Sequence, residues 1–356
     1  MHIHSFSALI IATLTVGLNS TAIASPFPVG GEVSITSINL SEPVTIKANF
    51  DDWETDELKP GNRLYSKQVA RAGVRINRFQ IGYSKHLYYY LNFSNDTARL
   101  HFLERNDRLD QDKNTFNIHL DANNAEAEGL FLGYDFSWKG LTVGATLTYL
   151  KLQDLYYGEA SGFFDPAETL DNGTYLRIDY AYPEDRIFER EVEPPEGNGL
   201  TLDLRAQYQW QAHSASLAIN EAYSDLYWNT APGSLIEGNI NSLRTNNEAA
   251  IRFSNFRTRF HQRLPIHTEA QYRYRLNPQF GAGVNYEKMD NKKWWKWVGD
   301  WHITNSWTGS ILWAPTDDIF GVQIKHPNFL IGLESDSSDY RESHYLKLQM
   351  LARVLF

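Results

Sequence analysis

The sequence predicts an all-β fold, a transmembrane antiparallel up-and-down β-barrel that forms a single domain over residues 25–356. Three observations support it. Segments of about 10 residues alternate between apolar and polar side chains, several end in an aromatic residue, and short turns contrast with long polar loops. A period of two belongs to a strand with two different faces. We expect an even number of strands, roughly 12 to 16, with about 14 as the best estimate.

Residues 1–24 are predicted to be a signal peptide that precedes this domain. An apolar run from Ala8 to Leu18 is followed by Ala22-Ile23-Ala24, the small-x-small pattern of a signal-peptidase site. The first basic side chain is Lys47, so the start of the chain lacks the usual Lys or Arg. After residue 24, no run reaches the roughly 18 apolar residues of a transmembrane helix. We therefore expect export without a helical membrane anchor.

The composition narrows the class of protein further. The chain has no cysteine, which excludes disulfides, thiolate metal sites and a lipid anchor on cysteine. The formal net charge of -10 argues against nucleic acid as a partner. Yet 14% of the residues are aromatic, which is high for a chain this hydrophilic. That combination is typical of a barrel with aromatic rings at both membrane interfaces.

Four segments show the alternation most clearly, at 129–138, 141–149, 199–210 and 269–287. Apolar residues share one face of each segment, while Thr, Gly, Gln, Asp and Arg share the other. The closing aromatics Trp138, Tyr149, Trp210 and Tyr286 stand where interfacial rings are expected. A soluble β-sandwich also alternates, but its strands are usually shorter and its outer face carries Lys and Glu. The nearly uninterrupted apolar face favours the barrel.

The predicted connections are of two lengths. The short ones are Lys139-Gly140, Gln211-Ala212-His213, Asn277-Pro278 and 314–318, and the long polar ones are 154–173, 183–198, 229–248 and 290–301. In barrels of this kind the long loops lie outside the cell and the short turns face the periplasm. His326-Pro327-Asn328 is either a turn or a bulge in one strand, because proline within a sheet is confined to edges and bulges.

The chain ends in LKLQMLARVLF, with an apolar residue at every second position and phenylalanine as the last. This segment resembles the C-terminal signal strand of Gram-negative outer-membrane β-barrel proteins. The resemblance implies an outer-membrane location, contact with outer-membrane lipid and lipopolysaccharide, and recognition by the insertion machinery. The matching assembly-signal positions are Phe356, Val354, Ala352, Met350 and Leu348. Closure of the barrel pairs this last strand and leaves no exposed edge.

A basic segment supplies the candidate functional residues. Strand parity assigns to the lumen Arg257, Arg259, Arg273, Arg275 and Glu269, because arginine facing lipid costs roughly 2–4 kcal/mol near the midplane. If the chain reverses near Leu264, Glu269 lies across from Arg259. Two interpretations stay open: an electropositive stripe that conducts solutes, and a structural network in which Glu269, Asp203 and Asp135 neutralise the arginines and plug the lumen.

Two other motifs are weaker candidates for a functional site. In NIHLD, His119 and Asp121 share a strand face and could activate a water molecule. The segment KKWWKWVGDW places tryptophans among Lys292, Lys293 and Lys296, as an interfacial girdle or as a sugar-stacking platform in a loop. The spacing of the 11 histidines indicates no metal site, and no cofactor is expected.

These observations predict a non-enzymatic porin or channel of the outer membrane for small anionic or saccharide solutes. The alternative is an export or envelope-assembly barrel, such as an outlet for a surface polysaccharide. A weaker alternative is an outer-membrane hydrolase that uses His119 and Asp121. The motifs themselves do not decide between solute passage and assembly.

Overall fold

The computed structural model describes residues 29–166, 174–184, 191–239 and 252–355. Its strands are β1 (Val29–Ser41), β2 (Arg63–Ile76), β3 (Phe79–Phe93), β4 (Phe116–Trp138), β5 (Leu141–Phe164), β6 (Tyr175–Ala181), β7 (Glu196–Trp210), β8 (His213–Asn239), β9 (Arg252–Gln262), β10 (His267–Arg275), β11 (Phe280–Met289), β12 (Lys292–His302), β13 (Thr308–Ala314), β14 (Ile319–His326), β15 (Phe329–Ser335) and β16 (Tyr345–Leu355). Two short helices, α1 (Ile46–Phe50) and α2 (Asn95–Arg105), and a 3-10 turn at Leu109–Gln111 complete the described elements.

The strands form one closed antiparallel barrel. β1 pairs with both β2 and β16, and β8 pairs with β10, so the sheet closes on itself. β6 and β7 both pair with β5 and β8, one beyond the other, and therefore share a single position in the wall. β9 and β10 share another position beside β8. The sixteen strands thus occupy 14 positions around the barrel, which confirms the predicted number.

The pairing of β9 and β10 corrects one expectation. The chain does not reverse near Leu264, because both strands run antiparallel to β8 and one continues the other across residues 263–266. Glu269 lies opposite Ala218 and Glu287, not opposite Arg259. The apolar and proline-containing stretch before β10 interrupts the ladder without turning the chain back.

Several predicted loops are partly strand. β4, β5 and β8 have 23, 24 and 27 residues, longer than a bilayer requires. Their loop-side ends extend beyond the lipid, so their outward faces need not be apolar and the regular alternation of the membrane-spanning part is lost there. The segment 290–301 is mostly β12 after a tight turn, and 327–328 is a turn between β14 and β15.

The outward face of the wall carries a continuous apolar belt. Exposed members include Phe79, Leu130, Leu132, Trp138, Tyr272, Trp297, Ile311, Phe320, Val322 and Val354. On β4 the belt runs from Leu130 to Trp138, roughly 20–25 Å for a tilted strand. This is the height of the apolar band on a bilayer-spanning barrel. Among the described helices, none is long and apolar enough to cross a membrane.

The two ends of the barrel differ. One end, where β1 begins and β16 ends, we call the turn side. It carries the connections 77–78, 139–140, 211–212, 276–279, 303–307 and 327–328. The connections that carry α1 and α2 form the loop side, together with the tight turns 290–291 and 315–318. Residues 314–318 were expected with the other short turns and lie at the opposite end. Lys139 and Gly140, with φ of 44° and 84°, make the kind of tight turn that joins hairpin strands.

Candidate functional site: the barrel lumen

Inward-facing charged side chains meet across the middle of the barrel. Glu287 of β11 is 3% exposed and contacts three cationic or ring nitrogens. Its carboxylate lies 2.9 Å from His267 Nε2, 2.9 Å from Lys347 Nζ and 2.6 Å from Lys296 Nζ. Lys296 also contacts Glu334, and Lys347 Nζ lies 3.3 Å from Glu269. β16 and β11 are not neighbours in the wall, so Lys347 reaches its partners through the lumen.

A second group of ion pairs lies on the other side of the lumen. Lys67 of β2 contacts Glu221 of β8, which also accepts a hydrogen bond from Tyr88 Oη at 3.0 Å. Arg71 Nη2 lies 2.5 Å from the Asp203 carboxylate, and the backbone N–H of Glu221 donates to the same carboxylate at 2.9 Å. β2 is not adjacent to β7 or β8, so these contacts also cross the interior.

Local backbone irregularity positions the second group. The β7–β8 ladder shifts register between Leu202 and Leu204, next to Asp203. Glu221 has φ of 51°, in the left-handed region that residues other than glycine rarely adopt. A residue held in such a conformation costs of order 1–3 kcal/mol, and the surrounding structure must compensate. The hydrogen bond from its own N–H to Asp203 and the pair with Lys67 supply that compensation.

Apolar side chains from opposite walls close the lumen at the same level. One cluster joins β1 and β2 to β11–β14 and β16: Ile38, Leu40, Tyr65, Met289, Trp294, Ala314, Ile319 and Tyr345, all buried. β2 and β11 face each other across the barrel. We call this cluster and the two ion-pair groups the central layer. Because its charges are paired and its apolar atoms buried, it fills the middle of the described lumen.

Between the central layer and the turns the lumen is hollow. Two cavities of about 400 and 360 Å³ adjoin there, since Gln207, Ser216 and Gln271 line both. Together we call them the turn-side cavity. Its basic side chains are Arg75, Arg205, Arg273, Arg275, Lys325 and Arg353, and its carboxylates are Asp135, Glu269 and Asp300. Glutamine, serine and threonine side chains supply most of the remaining polar lining.

The central layer separates the four predicted arginines. Arg273 lines the turn-side cavity, with Nε 3.2 Å from Asp300 and Nη1 2.6 Å from Asn285 Oδ1. Arg275 lines it too and is exposed. Arg259 is exposed on β9, on the loop side of the layer. Its neighbour Phe260 and the next residue of that parity, Gln262, pack inward, so Arg259 lies on the opposite face and does not point into the lumen as strand parity predicted. The side chain of Arg257 lies outside the described part. Glu269 belongs to the central layer. The arginines therefore do not form one stripe.

Other sequence predictions have these outcomes. Leu348, Met350, Ala352 and Val354 share the outward parity of β16, while Phe356 and the signal peptide lie outside the described residues. His119 Nε2 lies 3.2 Å from Asp121 at the loop-side end of β4, where His119 is exposed and Asp121 is half-buried. Trp295, Trp297 and Trp301 face outward from β12, but Trp294 faces inward and is buried. Since this segment is a strand, it does not form the loop that a sugar-stacking platform needs.

One trio in the central layer has the residue types of a metal site. Ligand atoms of His267, Glu269 and Glu287 lie within 4.8 Å of one another. However, Lys296 and Lys347 already contact these carboxylates at 2.6–3.3 Å. Two ammonium groups in the place of a divalent cation balance the charge, and a metal ion would be repelled by them. The trio is therefore part of an ion-pair network.

Most residues of the central layer were not predicted from the sequence. Lys347, Lys296 and Glu287 lie at the inward parity of strands whose outward faces are mostly apolar or aromatic. Parity alone could have placed each of them in the lumen, as it did Arg273 and Arg275. Their ion-pair partners could not be predicted from the sequence, because contacts across a barrel join strands that are far apart in sequence.

Some proteins of known structure have a similar overall shape but share little sequence identity with this chain. No protein-family model matches the chain, and no curated protein sequence matches it. The TodX deltaS2S3 mutant monoaromatic hydrocarbon channel is 8% identical, with 93% of this chain and 91% of that chain covered and a TM-score of 0.47. The Ralstonia pickettii toluene transporter TbuX is 12% identical, with 94% and 89% covered and a TM-score of 0.41.

The translocator domain of the autotransporter NalP from Neisseria meningitidis is 7% identical, with 94% and 90% covered and a TM-score of 0.31. These likenesses are too weak to assign a family or a function. The closed wall of 14 positions and its lipid-facing belt nevertheless define the class: the chain is an integral β-barrel of the outer membrane.

Proposed function

We propose that this barrel is a gated outer-membrane channel for small anionic solutes, including acidic saccharides, which bind in the turn-side cavity. The observation that carries the proposal is the charge of that cavity. Six basic side chains line it against three carboxylates, and Glu32, which pairs with Arg353 and Arg75, adds a fourth acid beside the lining. Bases therefore exceed acids there, although the whole chain has a net charge of -10. Fixed charges act strongly inside a narrow, partly desolvated lumen, so a small excess sets selectivity.

The polar lining suits solutes with several hydroxyl or carboxylate oxygens. Gln207, Gln209, Gln271 and Gln323 offer amide donors and acceptors beside the arginines. Guanidinium groups bind carboxylates in a bidentate manner, which combines charge with geometry. An aliphatic or aromatic hydrocarbon would displace water from these polar groups without offering them hydrogen bonds, at a cost in binding free energy.

The central layer supplies the gate in this proposal. It lies between the turn-side cavity and the loop side, so a solute crosses the barrel only when the layer rearranges. Its apolar part is the simplest to open, because Tyr65 and Trp294 are large side chains from facing walls. Truncating both to alanine removes the bulk that closes the lumen without unpairing any of the buried charges.

The test is conductance of the purified full-length protein in planar lipid bilayers. Wild type should conduct weakly, and Tyr65→Ala with Trp294→Ala should conduct much more, with a reversal potential that reports anion preference. The matched control is Trp297→Ala, which removes an outward tryptophan of the same strand, 62% exposed, and should leave conductance unchanged. A cation-selective double variant contradicts the proposal. A barrel that stays silent in every variant favours the export or assembly alternative instead.

A further inference from the structure

The lipid-facing side of β11 and β12 carries a ladder of five cross-strand pairs. From the loop side to the turn side they are Lys288/Lys293, Tyr286/Trp295, Val284/Trp297, Ala282/Gly299 and Phe280/Trp301. Both lysines are exposed, at the boundary where the apolar belt ends. The ladder therefore combines two cations at the membrane surface with one pair of very small residues deep in the belt.

The two lysines face each other directly across the β11–β12 ladder. Side chains opposite each other on an antiparallel pair have Cβ atoms about 4.5–5.5 Å apart, and like charges there destabilise the sheet. Among the described residues, neither lysine has a carboxylate within ion-pair distance. The adjacent Lys292 points to other partners, 3.4 Å from Glu42 and 3.1 Å from Asp317. A phosphate bridging Lys288 and Lys293 would turn this repulsion into two charge-assisted hydrogen bonds.

Below the lysines, the small pair Ala282/Gly299 opens a groove of about 650 Å³ in the outer wall. Its sides are formed by the apolar and aromatic residues Tyr272, Val284, Trp297, Ile311 and Trp313. A Cβ atom added at Gly299 would meet no atom within 4 Å, so packing does not require glycine there. The groove is apolar and continuous with the belt, which makes it suitable for an acyl chain.

We propose that this ladder binds one phosphate-bearing glycolipid of the outer leaflet, of the lipid A type. Its phosphate lies between Lys288 and Lys293, and one acyl chain runs past Tyr286 and Trp295 into the groove. Lys288 and Ala282 are six residues apart on β11, roughly 20 Å of strand, which matches the length of a fatty acyl chain. The loop side is the outer side of such a barrel, where this lipid is found. The site lies outside the wall and is independent of the proposed channel function.

Native mass spectrometry of the detergent-solubilised full-length protein tests the part of the proposal that concerns the lipid head group. The probes are diphosphoryl lipid A, phosphatidylglycerol and phosphatidylethanolamine, and lipid A should bind most tightly. Lys288→Gln with Lys293→Gln should lower lipid A affinity by about tenfold per lysine, since each removes one charged hydrogen bond. The control Lys151→Gln should change nothing, because this exposed lysine at the same boundary faces Glu128 in the ladder.

A second variant tests the groove. Gly299→Leu should weaken binding of lipid A and leave binding of dihexanoyl phosphatidic acid unchanged, because the latter has the phosphate without long chains. Folding of each variant is checked by heat-modifiable migration in gels. The proposal is overturned if the double lysine variant binds lipid A like wild type, if Lys151→Gln loses as much affinity, or if either phospholipid binds as tightly as lipid A. Unchanged lipid A binding by Gly299→Leu overturns the assigned groove.

Discussion

The central layer and the turn-side cavity lie a few residues apart on the same strands, yet one is filled and the other hollow. β11 contributes Glu287 and Met289 to the layer but Gly281 to the cavity. β12 contributes Trp294 and Lys296 to the layer but Asp300 to the cavity. The size of the inward side chain on each strand therefore decides where this barrel is closed.

The two regions also differ in how their charges are solvated. Lys296 and Lys347 are 1% and 2% exposed, and each contacts two carboxylates. In the cavity, Arg275 and Lys325 are exposed, and no ion pair joins either to a described residue. A buried charge must be paired because its desolvation is costly, whereas a solvated charge needs no ion-pair partner. The layer should therefore be sensitive to single substitutions and the cavity tolerant of them.

The largest effect is expected for Glu287→Gln in the central layer. The substitution keeps the shape of the side chain but removes the charge that His267, Lys296 and Lys347 share. Breaking a buried ion pair from one side costs about 3–5 kcal/mol, because the partners stay buried without compensation. Unfolding by guanidinium in detergent micelles, followed by tryptophan fluorescence, measures the change in the free energy of unfolding.

Glu128→Gln is the matched control, since this outward carboxylate contacts the exposed Tyr83 hydroxyl. We expect a loss of at most about 1 kcal/mol there, as for other exposed polar contacts. If Glu287→Gln costs no more than this control, then the central layer is hydrated and the contrast between the two regions does not hold.

The sequence predicted the wall of the barrel far better than its interior. Alternation in segments such as 129–138 directly reports lipid on one face, because every second side chain must be apolar. The number of positions and most of the turns follow from that pattern. The exceptions are β12, which begins with Lys292–Lys293, and the loop-side ends of β5 and β8, which extend beyond the lipid and lack a regular apolar outward face.

For the interior, strand parity placed Arg273 and Arg275 in the lumen but predicted the wrong face for Arg259, and it did not predict which inward residues meet. Arg273 is inward and half-paired, while Glu269 contacts Lys347 from β16 and not an arginine. Asp203 and Asp135 do neutralise arginines, but the partners are Arg71, Arg75 and Arg205. Parity is a local property of a strand. Contacts across the lumen depend on the shape of the closed barrel, which no local pattern contains.

An intermediate effect is expected for Arg273→Ala at the border between the two regions. Its guanidinium is 19% exposed and lies 3.2 Å from the carboxylate of Asp300, which is 10% exposed. Removing it leaves Asp300 with Ser310 Oγ at 2.7 Å, so part of the carboxylate stays satisfied. We expect a loss of about 1–3 kcal/mol in the same unfolding measurement. Asp300→Asn in the same background should recover part of the loss, and no recovery would mean that the arginine acts by packing alone.

The smallest effect on stability, and the clearest effect on function, is expected for Arg275→Gln with Lys325→Gln in the turn-side cavity. Both side chains are exposed, so the free energy of unfolding should change by no more than about 0.5 kcal/mol. The four remaining bases would then face the three lining carboxylates and Glu32, so the charges balance and the anion preference should nearly vanish. The measurement is the reversal potential under a salt gradient, in the conducting Tyr65→Ala, Trp294→Ala background. Arg273→Ala with Arg275→Ala should move the potential in the same direction while also costing stability. If neither pair of substitutions moves the potential, the positive charges of the cavity hold the wall together and do not select solutes.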